Sequence, residues 1–228
     1  MLIATVPAAA FDENCYVVAA EPGQECLVID PGIGVLDQLE EVFAARRLHP
    51  AAVLLTHGHL DHTFSVAPVC GSRNITAYVH PGDRELLADP AKGLSTQLTM
   101  LFGGRLPYTE PERVEPLPDG GPIEVAGVRV TVDHAPGHSA GSVLLRMPGR
   151  DEPVCFSGDV LFAGSIGRTD LPGGDPAAMV ASLREKVLTL PDETVVLPGH
   201  GPTTTIARER VGNPYLQDLA RVAPERGW

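Results

Sequence analysis

The chain has 228 residues with 29 acidic against 17 basic side chains, a formal net charge of −12, and that balance argues against a general nucleic-acid surface because phosphate binding needs clustered cations. Its length is ample for a sizeable core, and 43% hydrophobic content with mean hydropathy near zero is that of a globular protein rather than a disordered one. No apolar stretch approaches the ~20 residues of a membrane helix, and Met1-Leu2-Ile3-Ala4-Thr5-Val6 lacks the basic region and long apolar core of an export signal, so the expected setting is the cytoplasm, with neither membrane nor nucleic acid as a partner.

Taken in order, residues 2–6, 15–19 and 26–29 read as three strands, the last two joined by a turn at Glu21-Pro22-Gly23-Gln24. Asp30-Pro31-Gly32 closes this meander, and Asn14 reads as a turn-closing residue before the second strand. Cys15, Cys26, Cys70 and Cys155 have no paired spacing and sit among apolar neighbours, which predicts reduced, mostly buried thiols. Val35, Leu36, Leu39, Val42 and Phe43 recur at helical spacing, predicting an amphipathic helix over 35–47. The apolar run 51–55 is too brief for a helix and reads as a buried strand.

Further on, 76–79 reads as a strand and 81–88 as a helix opened by Pro81, with His80 structural between them. Over 89–113 the periodicity weakens. A segment this long and irregular is either a flap whose apolar residues and Tyr108 contact substrate, or a surface element packing its own apolar side. Residues 123–125 and 128–132 form a hairpin across Ala126-Gly127, and 142–146 is another strand. Met179, Val180, Leu183 and Val187 predict a second amphipathic helix over 177–190. The tail from Thr203 is partly helical, broken by Gly212 and Pro214. Two runs of strands, each followed by helices, point to two similar halves packed sheet on sheet with helices outside.

The stretch that carries chemistry is Thr56-His57-Gly58-His59-Leu60-Asp61-His62, directly after the 51–55 strand. In an extended loop, residues two apart point the same way, so His57 and His59 can face one ion. Asp61, as N-cap of the segment that follows, would turn itself and His62 toward a second. Three histidines and a carboxylate within six residues are borderline ligands, suited to zinc or iron more than to magnesium. Pro136-Gly137-His138, Ser157-Gly158-Asp159 and Pro198-Gly199-His200 repeat the pattern of strand, small residues and ligand, with glycine letting the backbone approach a crowded centre. His134 reads as structural beside them.

Together these motifs resemble the metallo-β-lactamase superfamily and, within it, the short single-domain bacterial type II glyoxalases, or hydroxyacylglutathione hydrolases, from Asn14-Cys15-Tyr16 to Asn213-Pro214-Tyr215. The resemblance implies an α+β fold, a four-layer αββα sandwich forming one domain over 1–228, with the metal loops at one edge of the two sheets. It implies that His57, His59 and His138 hold one divalent ion and Asp61, His62 and His200 a second, with Asp159 bridging them. Zinc is the first expectation, with iron or manganese as alternatives. A shared carboxylate offsets the repulsion of two dications ~3.5–4 Å apart. The chemistry implied is hydrolysis of an acyl-thiol such as S-lactoylglutathione by metal-bridging hydroxide, with Asp61 orienting the nucleophile and accepting its proton.

Selection among substrates would fall to flanking residues. In Gly167-Arg168-Thr169-Asp170, Arg168 would meet a carboxylate of the thiol as a bidentate donor, or else pair with Asp170 or Asp175. Residues 201–228 are too few for the C-terminal helical domain of the larger glyoxalases, which leaves the thiol open. The rival within the superfamily is a persulfide dioxygenase with a single iron on His57, His138 and Asp159. Further alternatives are a lactonase or β-lactamase and a non-catalytic metal-binding module.

Overall fold

The computed structural model describes residues 1–95 and 108–221. Six strands lie side by side in chain order in the first sheet: β1 (Leu2–Pro7), β2 (Asn14–Ala19), β3 (Glu25–Ile29), β4 (His49–Leu54), β5 (Thr76–Val79) and β6 (Val114–Pro116). The first three form an antiparallel meander; β3 to β6 run parallel. The second sheet begins with β7 (Pro122–Val125), β8 (Val128–His134), β9 (Val143–Met147) and β10 (Val154–Gly158). After a separate two-stranded hairpin, β11 (Leu161–Phe162) and β12 (Ser165–Ile166), it is completed by β13 (Val195–Pro198) and β14 (Thr204–Thr205), in the order β14-β13-β10-β9-β8-β7.

Strand alternation explains the layering. In β2, Tyr16 and Val18 join a core shared with the second sheet, while Cys15 and Val17 point the other way. Leu27 and Ile29 face inward against Cys26 and Val28 outward in β3. The second sheet mirrors this, with Val143, Leu145 and Phe156 inward and Leu144 and Cys155 outward. A strand buried on both faces must be apolar at every position, which is why these segments read as continuous apolar runs. The outer face of the first sheet is covered by Leu39 and Phe43 from the helix Leu36–Arg46 and by Val66 and Val69 from Val66–Gly71. Met179, Leu183, Val187, Ile206 and Leu216 cover the outer face of the second. The result is the four-layer αββα sandwich expected. All four cysteines are free and buried. Among the described residues no helix is long and apolar enough to cross a membrane.

Several expectations need correction. His59, not Asp61, is the N-cap of the helix Leu60–Thr63; its extended backbone precedes the helix, and Asp61 lies in the first turn. Residues 81–88 split into a 3-10 turn, Pro81–Asp83, and a short helix, Arg84–Ala88. The expected 177–190 helix is Pro176–Ser182, opened by the Asp175 side chain accepting from the backbone N–H groups of Ala177 and Ala178, and it passes into a π turn, Leu183–Val187. Strand β4 begins two residues earlier than its apolar core. Of the expected flap, 89–113, residues 96–107 lie outside the described residues, and Pro90–Gly93 forms a 3-10 turn.

The candidate metal centre

The C-terminal ends of β4, β10 and β13 and the connection from β8 to β9 converge at one edge of the sandwich and bring all seven anticipated ligand positions together. His57, His59 and His138 form one group and Asp61, His62 and His200 another, each with its ligand atoms within 4.8 Å of one another. His59 Nδ1 lies 2.8 Å from His138 Nε2, and His62 Nε2 lies 3.2 Å from His200 Nε2. Asp159 stands between the groups. Its Oδ1 is 3.4 Å from His62 Nε2, and its Oδ2 is 3.5 Å from His138 Nε2 and 3.6 Å from His200 Nε2.

Hydrogen bonds fix which ring nitrogens face the centre, because the partner at the back of four imidazoles has no proton to give. His138 Nδ1 donates to the Arg168 carbonyl at 2.7 Å, and His200 Nδ1 to the Phe11 carbonyl at 3.0 Å. His62 Nδ1 donates to Asp30 Oδ2 at 3.1 Å. His57 Nδ1 donates to Thr56 Oγ1 at 3.1 Å, whose own proton goes to Asp30 Oδ2. These four rings are therefore oriented with Nε2 toward the centre and the other nitrogen anchored, as metal-ligating histidines are, while His59 presents its Nδ1.

Burial and neighbouring imidazoles hold His57 well below its ordinary range. Burial, then His138, lowers His59 to about 4. His62 goes the other way: burial opposes its charge, but Asp159 and Asp61 raise it well above the usual imidazole value. For Asp61, burial works upward and is outweighed by His62 and His200, so the carboxyl stays ionised.

The residues present fit a pair of cations. His57 Nε2, a bare lone pair by the argument above, is buried and makes no hydrogen bond, and neither does Asp159 Oδ1. Unmade acceptors of this kind are costly unless a cation satisfies them. The backbone is shaped around the same space. A Cβ on Gly199 would strike Asp159 Oδ1 and come within 2.6 Å of His62, and one on Gly167 would strike the Asp159 carbonyl and come within 3.3 Å of His138.

The first sheet grips the His200 loop. Asn14 Nδ2 donates to the Pro198 and Gly201 carbonyls, and the Tyr16 hydroxyl donates to the Pro198 carbonyl at 2.7 Å. Asn14 thus anchors a ligand loop as well as opening its strand. Glu209 braces the other flank, accepting from Gly164 N and the Thr204 hydroxyl.

Above the centre opens a cavity of about 310 Å³, lined by Phe11, Leu60, Leu94 and Leu171 together with His59, Asp61, Arg168 and His200. Arg168 lines it, but its guanidinium is held by Asp170 in a two-toothed pair at 2.6 and 2.7 Å. Tyr108 is not among the lining residues; its half-buried side chain lies beside Thr63, and burial pushes its phenol up to about 12. His80 and His134 stack at 3.9 Å, and His134 Nε2 donates to the Ala140 carbonyl, both structural as expected.

Sequence reasoning missed Asp30 and Glu13. Asp30 reads as the first residue of an Asp-Pro-Gly turn, and only the fold puts it behind two histidines. Glu13 is fully buried with neither oxygen hydrogen-bonded, 3.8 Å from His62 Nδ1, and burial pushes its carboxyl up to about 10. No local pattern marks it.

With this geometry in place, comparison with known proteins identifies the class: the chain belongs to the metallo-beta-lactamase superfamily, whose family model matches residues 9–200. An uncharacterized protein of Mycobacterium tuberculosis is 45% identical over 97% of this chain and all of its own length. The hydroxyacylglutathione hydrolase GloC of Haemophilus influenzae is 33% identical over 95% of this chain and 98% of its own. Among solved structures, the BLEG-1 B3 metallo-beta-lactamase superposes with a TM-score of 0.83 at 37% identity, covering 94% of this chain and 99% of that one. TTHA1623 in a di-iron-bound form gives 0.78 at 39% identity, covering 93% and 100%.

Proposed function

We propose that this protein is a binuclear metallo-hydrolase of acyl thioesters, acting on S-lactoylglutathione or a related acyl-thiol. The observation that carries the reading is the two-sided arrangement around Asp159. His57, His59 and His138 would hold one ion, Asp61, His62 and His200 the other, and Asp159 would be shared between them. A mononuclear iron dioxygenase needs only His57, His138 and Asp159, yet the second group is equally well built, with His62 fixed by Asp30 and His200 by the Phe11 carbonyl. The likeness to GloC supports the thioester. The di-iron form of TTHA1623 supports iron beside zinc as an occupant, with manganese a third option.

A pair of divalent ions held there would supply Lewis acidity toward an acyl carbonyl and would lower the pKa of bound water to about 7. The chain's own residues do the rest. Asp61, half-buried and lining the cavity with its Oδ2 3.4 Å from His200 Nε2, would orient the attacking water and take its proton. Phe11, Leu60, Leu94 and Leu171 exclude bulk water and receive the body of the acyl or thiol group. Cleavage of the carbon–sulfur bond releases a carboxylic acid and a thiol. Arg168, engaged by Asp170, is a cavity wall first and a carboxylate clamp only if that pair opens.

Nothing in the ligand set itself distinguishes thioester from lactam or lactone, and 37% identity to BLEG-1 makes the lactam the reading to test beside it. The test is kcat/KM for S-lactoylglutathione, a homoserine lactone and a penicillin on one preparation of known metal content. The proposal expects the thioester to be preferred by at least about a hundredfold, roughly 2.7 kcal/mol in transition-state binding; a preferred lactam would replace it.

A further inference from the structure

We infer that Asp83 is a positioning residue that sets the spacing of the two loops carrying His57, His59 and His138. It lies at the end of the 3-10 turn after β5 and is buried. Its Oδ2 accepts from the backbone N–H of Gly58 at 2.8 Å and from the Ser139 hydroxyl at 2.6 Å, and its Oδ1 accepts from Gly141 N–H at 2.6 Å. Gly58 is the residue between His57 and His59, and Ser139 follows His138. A single carboxylate therefore ties a loop of the first sheet to a loop of the second, directly behind the place where His59 and His138 meet.

The donor ledger leaves this carboxylate no substitute. All three partners donate, and Ser139 Oγ, having given its proton to Asp83, is left to accept from Ser142 Oγ, which itself accepts from Ser139 N–H. An asparagine would turn an amide N–H₂ against one of these donors. The packing is equally specific. A Cβ on Gly58 would come within 2.8 Å of Leu86 and 3.0 Å of Asp83, one on Gly141 within 2.5 Å of Asp83 N, and one on Gly82 within 2.7 Å of the Ala140 carbonyl. Three glycines thus press the turn and both ligand loops together. Asp83 neither lines the cavity nor belongs to a ligand group, so it acts through the histidines.

The inference rests on the reading of His57, His59 and His138 as one ion's ligands. Its test is metal binding by the full-length protein stripped with chelator: zinc affinity by competition with a chromophoric chelator, and the visible spectrum on adding cobalt(II). Asp83→Asn is expected to weaken one of the two ions by roughly 10–100-fold, as loss of an outer-shell partner does, and to alter the cobalt spectrum. A core variant, Leu27→Ala, is expected to lower the melting temperature with affinity and spectrum unchanged. If Asp83→Asn behaves like Leu27→Ala, the inference is overturned. Should Asp83→Asn not fold, Ser139→Ala removes one of the three bonds and is expected to weaken the same ion severalfold; unchanged affinity there overturns the inference equally. Failure of the wild-type protein to bind two ions would instead remove the functional reading beneath it.

Discussion

Asp30 Oδ2 accepts from His62 Nδ1 at 3.1 Å and, through the Thr56 hydroxyl, fixes His57 as well. One carboxylate at the end of β3 thus orients an imidazole of each candidate ligand group. Asp30→Asn offers an amide where two donors converge, and both histidines lose their orientation. The expected result is a loss of roughly 10–100-fold in affinity at both ions, measured by chelator competition. Thr56→Val breaks only the relay to His57 and should weaken one ion alone.

Gly167 sits where any side chain would collide with the Asp159 backbone and crowd His138. Gly167→Ala is expected to lose bound metal while keeping the αββα fold, seen as unchanged far-ultraviolet circular dichroism with metal content by mass spectrometry reduced by about one ion or more per chain.

Arg168 contributes its carbonyl to His138 and its guanidinium to Asp170. Because the pair is exposed on both sides, its net value is small. Arg168→Ala is therefore expected to retain its metal and to change KM for the thioester by less than roughly fivefold. A rise of tenfold or more would mean that the pair opens to hold a substrate carboxylate.

Glu13 gives the clearest pH signature. Its folded pKa is raised to about 10, from an ordinary value of 4.5, chiefly by burial. The folded state therefore keeps a proton that the unfolded state gives up above pH 4.5, so this group's contribution to stability falls as pH rises from there toward 10. Glu13→Gln removes that dependence. The metal-free variant should melt higher than wild type at pH 8 by at least a few degrees, on the scale of about 2–4 °C per kcal/mol for a chain this long, with the difference shrinking toward pH 5. Equal melting temperatures at pH 8 would mean that the carboxyl finds a partner or a charge there.

How much of this was legible in the sequence follows from where the signals lie. The candidate cluster was legible because several of its members follow a strand and sit beside glycine, so local chemistry and local geometry coincide in His57, His138, Asp159 and His200. The layers were readable because strands such as Cys26 to Ile29, buried on both faces, are apolar throughout. Asp30, Asp83 and Glu13 were not, because their partners lie 25 or more residues away: strand pairing within the first sheet brings Asp30 and Glu13 to theirs, and the packing of the two sheets brings Asp83 to Ser139 and Gly141. The hairpin Leu161–Phe162 with Ser165–Ile166 escaped as well, since two-residue strands leave no period to detect. Arg168 was weighed between substrate and an ion pair with Asp170 or Asp175, and the geometry gives Asp170 the guanidinium.

The most direct test is anaerobic turnover of S-lactoylglutathione by protein of measured zinc and iron content, with His57→Ala as control. The account predicts about two ions per chain, hydrolysis independent of oxygen, and its loss in the control. One iron per chain, no hydrolysis, and oxygen uptake with glutathione persulfide would contradict it.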